Sequence, residues 1–173
     1  MKLSDLKNDL PEQFNTILAT SKFQELRPGQ EKAINAGLLN HTSLLVCTPT
    51  GSGKTLIAEL AMVKSILTNR GKAIYIAPLK SLASEKAKHW KKQYEHLFNI
   101  ALSIGDMDKP EPHLAQKDLI LTTSEKLDSL IRHGAPWIKQ IGTVIIDEIH
   151  LLNDPGRGPT LEIIITLLRQ LLK

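Results

Sequence analysis

The stretch Cys47-Thr48-Pro49-Thr50-Gly51-Ser52-Gly53-Lys54-Thr55 holds the residues needed to cradle a polyanion. Glycines let backbone N–H groups turn inward around phosphate oxygens, and the positive end of a following helix adds to the attraction. The stretch follows the apolar run Leu44-Leu45-Val46 and opens a run of helical spacing through Lys64, so the pattern predicts a buried strand, a phosphate loop and a helix. Thr50, Gly51, Ser52 and Gly53 would supply the cradle. Lys54 can reach the terminal phosphates as a point charge, and the Thr55 hydroxyl can take one coordination site on Mg²⁺. The implied ligand is a nucleoside triphosphate. The first position of the general G-x-x-x-x-G-K-[ST] pattern is Thr48 here.

A second group of chemical residues lies far along the chain. Thr143-Val144-Ile145-Ile146-Asp147-Glu148-Ile149-His150 reads as an apolar strand that ends in adjacent carboxylates. Placed on the same sheet edge as the loop, Asp147 can hold the Mg²⁺ shell, leaving Glu148 to orient or deprotonate an attacking water. Strand alternation would send the two side chains opposite ways. His150 fits either a loop histidine or a link from the nucleotide to a neighbouring site. Upstream, Gln30 has an amide that both donates and accepts, as the edge of adenine requires, and is the candidate base reader.

These residues need a scaffold, and the apolar spacing supplies one. Pro11 to Thr20 reads as an entry helix, and a second helix begins at Pro28 and continues through Ala33, Ile34, Gly37 and Leu38. Ala73 to Ala77, Ile100 to Ile104 and Asp118 to Thr122 are short apolar runs suited to strands buried on both faces. Between them, a helix from Lys80 places Leu82, Ala83, Ala87, Trp90, Tyr94 and Leu97 on one face, so Trp90 and Tyr94 read as core. Lys88, Lys91 and Lys92 gather on the other face, which is expected to be solvated. Gly105 to Pro112 reads as a loop in which Asp106 and Asp108 are turn residues. Thr123-Ser124-Glu125-Lys126 starts a helix just beyond a strand's C-terminal end, where open α/β sheets bind ligands. A last helix, Leu161 to Leu172, is apolar almost all round and expects cover on more than one side. Strands alternating with helices predict an α/β fold, a mostly parallel sheet between helical layers.

At 173 residues one compact domain is expected over 1–173, and 42% hydrophobic with 23% charged residues is ordinary for a soluble protein. No apolar run approaches a membrane span, and the start Met1-Lys2-Leu3-Ser4-Asp5-Leu6 does not resemble a secretory signal, so a cytoplasmic protein with no membrane partner is expected. The single cysteine, Cys47, excludes an internal disulfide and reads as a small core residue. A net charge of +4 permits a polyanionic partner without demanding one.

The order of the motifs resembles a known family. Phe23 to Gln30 is similar to a Q motif, Thr48 to Thr55 to motif I, Ala77-Pro78-Leu79-Lys80-Ser81-Leu82-Ala83 to motif Ia, Thr122 to Leu127 to motif Ib, and Asp147-Glu148-Ile149-His150 to motif II. The chain resembles the N-terminal RecA-like motor domain of a superfamily 2 DExH helicase. The segments Gly105-Asp106-Met107-Asp108 and Arg157-Gly158-Pro159-Thr160-Leu161-Glu162 make it most similar to the superkiller-like group, which includes archaeal DNA repair helicases and RNA-processing relatives. The resemblance implies a P-loop NTPase fold, Mg-ATP as cofactor, single-stranded or forked nucleic acid as partner, with DNA favoured over RNA, and strand translocation and unwinding by the intact protein. It implies that Phe23 and Arg27 shape the adenine site with Gln30. It also implies phosphate-backbone contacts from Pro78, Leu79, Lys80 and Ser81, from Thr122, Thr123, Ser124 and Lys126, and from Arg157. Contacts of that kind carry no sequence code, which suits a translocating motor. The family's motor needs a second RecA-like domain that carries an arginine finger, together with accessory domains, and none is recognisable here. An arginine finger can be worth about 10³ to 10⁵ in rate, so slow hydrolysis and no unwinding are expected of this chain alone. A small P-loop kinase or signalling NTPase is the alternative, although the arginines a kinase lid would need are scattered.

Overall fold

The computed structural model describes residues 1–19, 25–49, 51–105 and 111–172. The chain divides into two compact units, Met1–Arg70 and Gly71–Lys173. Phe23, Thr50, Asp106 and Asp108 lie outside the described residues.

The first unit is helical. α1 spans Glu12–Ala19, α2 Pro28–Asn35 and α3 Lys54–Leu67. Pro28 stands at the first position of α2, where its missing N–H and preset φ cost nothing. The helix stops earlier than the apolar spacing suggests. Ala36 caps it and Gly37 turns left-handed at φ 97°, a conformation open to glycine without a steric penalty. Phe14, Leu18, Leu26, Ala33, Leu38, Leu39, Ile57, Leu60, Met62 and Val63 are buried.

The expected strand before the phosphate loop is not formed. Residues 42–49 have no regular structure, Leu45 is 71% exposed, and Cys47 is exposed rather than a core residue. A strand exists through its ladder, and the described residues of this unit offer no neighbouring strand apart from the single bridge between Lys2 and Glu25. Three apolar residues between Thr42-Ser43 and Pro49 cannot form a sheet by themselves.

The second unit carries the sheet. Its strands are β1 Lys72–Ala77, β2 Ile100–Ser103, β3 Leu119–Thr123 and β4 Ile141–Ile146, and its helices are α4 Lys80–Tyr94, α5 Ser124–Arg132 and α6 Gly158–Leu171. All pairings are parallel, and the strand order is β2-β3-β1-β4. β1 and β3 are central and almost entirely buried, as their unbroken apolar runs require; β4 lies at the edge and is mostly half-buried. Register sorts the faces. Tyr75 pairs with Leu121 on one face, and Tyr75 meets Trp90 of α4 edge-on at 4.9 Å. Trp90 and Tyr94 are fully buried, as expected. On the other face Ile74, Ile76, Ala101 and Ile120 pack with Leu127 and Leu130 of α5, Ile164 and Leu168 of α6, and Trp137.

This is an α/β three-layer arrangement with a parallel sheet. The sequence suggested five strands; four are present among the described residues. α6 buries Leu161, Ile164 and Leu168 while Ile163 and Leu171 stay exposed, so one of its apolar faces is covered and another is not.

Candidate nucleotide and nucleic-acid site

In the first unit the loop leads directly into α3, whose first residue is Lys54. Gly51 and Gly53 adopt φ 76° and 88°. At Gly53 the requirement is double, because a Cβ there would also stand 2.3 Å from Nε2 of Gln30. The loop's polar groups are paired among themselves. The Lys54 ammonium donates to the Thr48 carbonyl at 3.1 Å, the Ser52 hydroxyl donates to Oγ1 of Thr48 at 2.8 Å, and the Arg27 guanidinium donates to the Gly51 carbonyl.

Gln30 is 5% exposed, and both ends of its amide are engaged. Oε1 accepts the Arg27 backbone N–H at 2.8 Å, and Nε2 donates to the Gly53 carbonyl at 3.0 Å. The first of these is the reach-back half of a capping box, with Gln30 at the third position of α2. Its second bond ties α2 to the start of α3. The residue read from sequence as an adenine reader is thus, in this state, the fastener of the phosphate loop.

In the second unit β4 ends at Ile146, before the carboxylates. Asp147 and Glu148 lie in a turn, and Glu148 takes a left-handed conformation, φ 53° and ψ 46°. The turn, not strand alternation, separates the two side chains, which corrects the sequence expectation. The Asp147 backbone N–H donates to the Ile76 carbonyl at 3.0 Å and so continues the β1–β4 ladder by one bond. Its Oδ1 accepts the Glu148 N–H at 3.0 Å, and its Oδ2 accepts the Tyr75 hydroxyl at 2.6 Å. Glu148 Oε2 lies 3.2 Å from Nδ1 of His150, which makes His150 a neighbour of the carboxylate expected to handle water.

In the sequence Tyr75 is masked by the apolar run that contains it. The signal was present, since a tyrosine buried mid-strand needs a partner for its hydroxyl. The oxygen donors fit a hard cation such as Mg²⁺, which takes few protein ligands and keeps water and phosphate oxygens in its shell. Among the described residues no cluster of three or more His, Cys, Asp or Glu could hold a metal unaided.

The expected strand-gripping residues divide by exposure. Leu79, Lys80 and Ser81 are exposed at the start of α4, with Pro78 half-buried beside them. Thr122, Thr123, Ser124 and Lys126 are buried. Lys126 is 0% exposed and pairs with Oε1 of Glu111 at 2.9 Å. Its ammonium therefore faces protein rather than solvent in this state. Thr123 caps α5 without a side-chain bond, and its buried hydroxyl has no hydrogen-bond partner among the described residues. Arg157 precedes α6, and its backbone N–H donates to Oδ1 of Asp154 at 2.9 Å.

The model of the DEAD/DEAH box helicase family matches residues 27–173. The chain belongs to that family. Among its relatives are proteins named ATP-dependent DNA helicase Hel308. The one from Pyrococcus horikoshii is 43% identical over 166 residues, covering 96% of this chain and 23% of the relative. That from Methanocella arvoryzae is 44% identical over 177 residues, covering 99% of this chain and again 23% of the relative. That from Methanocaldococcus jannaschii is 51% identical over 162 residues, 89% of this chain and 13% of the relative. The chain thus spans less than a quarter of the length of these family members. Among solved structures, the DUF1998 helicase MrfA bound to DNA and AMPPNP superposes with a TM-score of 0.71 at 24% identity, over 83% of this chain and 22% of that one. That likeness establishes the fold as RecA-like.

Proposed function

We propose that residues 1–173 form one RecA-like motor domain of a longer ATP-dependent DNA helicase. The observation that carries the reading is the pairing, within one family member, of a glycine-rich turn opening on Lys54 with an Asp-Glu turn at a strand end. Lys54 binds the terminal phosphates, and the first turn of α3 adds its positive end. Thr55 and Asp147 are the residues that would hold Mg²⁺, which would supply positive charge against the phosphates. Glu148 orients and deprotonates the attacking water. Phe23, Arg27 and Gln30 shape the base site, so Gln30 must exchange at least one of its loop bonds for adenine.

The exposed start of α4 grips one strand of DNA through its backbone. DNA rather than RNA is favoured because the relatives carry the name DNA helicase. Unwinding, forked substrates, a repair role, the second RecA-like domain and the accessory domains belong to the full-length protein. Among the described residues no helix is long and apolar enough to cross a membrane, and a cytoplasmic setting fits a DNA motor. Alone, this chain binds Mg-ATP and turns it over slowly, because the arginine finger of a second domain is worth about 10³ to 10⁵ in rate.

Calorimetry of Mg-ATP binding, with and without a short single-stranded oligonucleotide, tests the reading in wild type and Lys54→Ala. Binding lost in Lys54→Ala, together with oligonucleotide binding that weakens steeply with salt, is the expected result. ATP affinity indifferent to Lys54 would overturn it. Residual hydrolysis should disappear in Glu148→Gln.

A further inference from the structure

Tyr75 lies in the middle of β1, 4% exposed, and a buried phenol ordinarily finds a partner for its hydroxyl. Its partner is Asp147, through a 2.6 Å bond to Oδ2 that is short in the way charge-assisted bonds are. The backbone N–H of Glu148 holds Oδ1 at 3.0 Å, and the Ile76 carbonyl holds the Asp147 N–H at 3.0 Å. Each carboxylate oxygen offers about two acceptor directions, so with one bond to each among the described residues both retain one while the plane of the group is fixed. The phenol is itself held in place. Its ring stands edge-on to Trp90, with centroids 4.9 Å apart and planes at 88°, and Trp90 is fully buried on α4. Phenylalanine would fill the same space in β1 and make the same ring contact. The tyrosine hydroxyl is what sets the two residues apart, and its bond points at a side chain proposed to hold the metal.

We propose that Tyr75 is a positioning residue for the metal-holding carboxylate, its phenol setting the direction in which Asp147 presents its oxygens to the cation. The inference rests on the reading of Asp147 as a Mg²⁺ ligand. Outer partners of this kind orient a ligand without touching the metal, and their loss typically weakens metal binding by roughly 10- to 100-fold.

The test measures ATP affinity by calorimetry in Mg²⁺ and in EDTA, so that the gain due to the metal is read directly, for wild type, Tyr75→Phe, Asp147→Asn and the double variant. The expected result is a gain smaller by roughly tenfold in Tyr75→Phe, an unchanged affinity in EDTA, and a double variant no worse than Asp147→Asn. A purely structural role would lower affinity in both conditions. In wild type labelled at the tyrosine Cζ, Mg-ATP should move the NMR signal of Tyr75 and leave that of Tyr94, the other tyrosine of the chain. A full gain retained in Tyr75→Phe while Asp147→Asn loses it overturns the role of Tyr75 and leaves the metal reading standing. So does a double variant whose losses simply add. No loss in Asp147→Asn overturns both.

Discussion

The phosphate loop and the Asp-Glu turn are held in opposite ways. In the loop, cationic and amide donors are paired with the loop's own carbonyls: Lys54 with Thr48, Arg27 with Gly51, Gln30 with Gly53. A phosphate is a better partner for an ammonium than a neutral carbonyl is, so these are bonds a ligand replaces. At the Asp-Glu turn, the acceptor Asp147 is held by donors, the Tyr75 phenol and the Glu148 N–H. A cation would take the carboxylate lone pairs that these two donors leave open. On the proposed reading, the loop would rearrange when the nucleotide binds and the turn would keep its bonds.

The contrast extends to what supports each half. The approach to the loop is irregular and solvent-exposed at Leu45, while the turn follows a strand paired to buried β1. The largest effect should separate them. Ile120→Ala empties a fully buried site at the centre of the sheet and should cost about 2–5 kcal/mol. Leu45→Ala should stay within about 0.5 kcal/mol, as substitutions at exposed positions do. Urea unfolding measures both, and equal losses would break the comparison.

Next in size is the pair Lys126–Glu111. Glu111→Gln removes the negative charge beside a fully buried ammonium and should destabilise by about 3 kcal/mol, the lower end for breaking a buried pair because Glu111 is partly exposed. Lys126→Met sharpens the point about its role. If Lys126 acts through the fold, any loss of oligonucleotide binding leaves its dependence on salt at the same slope. A direct phosphate contact would reduce that slope by about one.

Gln30→Ala should act at the scale of a helix cap, about 1 kcal/mol of stability, and should also weaken ATP binding, since it removes the amide proposed to shape the base site. Thermal unfolding and calorimetry read the two effects separately. Intact ATP affinity would mean that Gln30 fastens the loop without contributing to the base site.

The smallest effect concerns His41. Burial, then the charges of Arg70 and Lys64, push its pKa below the usual histidine value. The folded state therefore takes up a proton less readily than the unfolded chain. This contribution to stability is neutral above pH 6.5 and turns unfavourable as pH falls below it, through the lowered folded value. His41→Asn, which tolerates the left-handed φ of 61°, should flatten that slope in a series of melting curves between neutral and mildly acidic pH.

Local chemistry made much of this protein legible in its sequence. Gly51, Gly53, Lys54 and Thr55 mark a phosphate loop by residue type alone, because glycine at positive φ before a helix is a local requirement. The buried runs of β1, β2 and β3 announce themselves because strands covered on both faces must be continuously apolar, and Trp90 and Tyr94 were core by helical spacing. What the sequence could not reveal depends on partners distant along the chain. Leu44 to Val46 looks like a strand, but a strand is a property of its ladder and none is formed. Only the fold shows that Lys126, a phosphate-contact candidate by its motif, already stands beside Glu111, and that Arg27 and Gly53 occupy the amide of Gln30. Tyr75 gains its significance from Asp147, 72 residues away. Residue types determine which chemistry is available, whereas hydrogen bonds and ion pairs are short-ranged, so only the folded chain decides which of those groups already have partners.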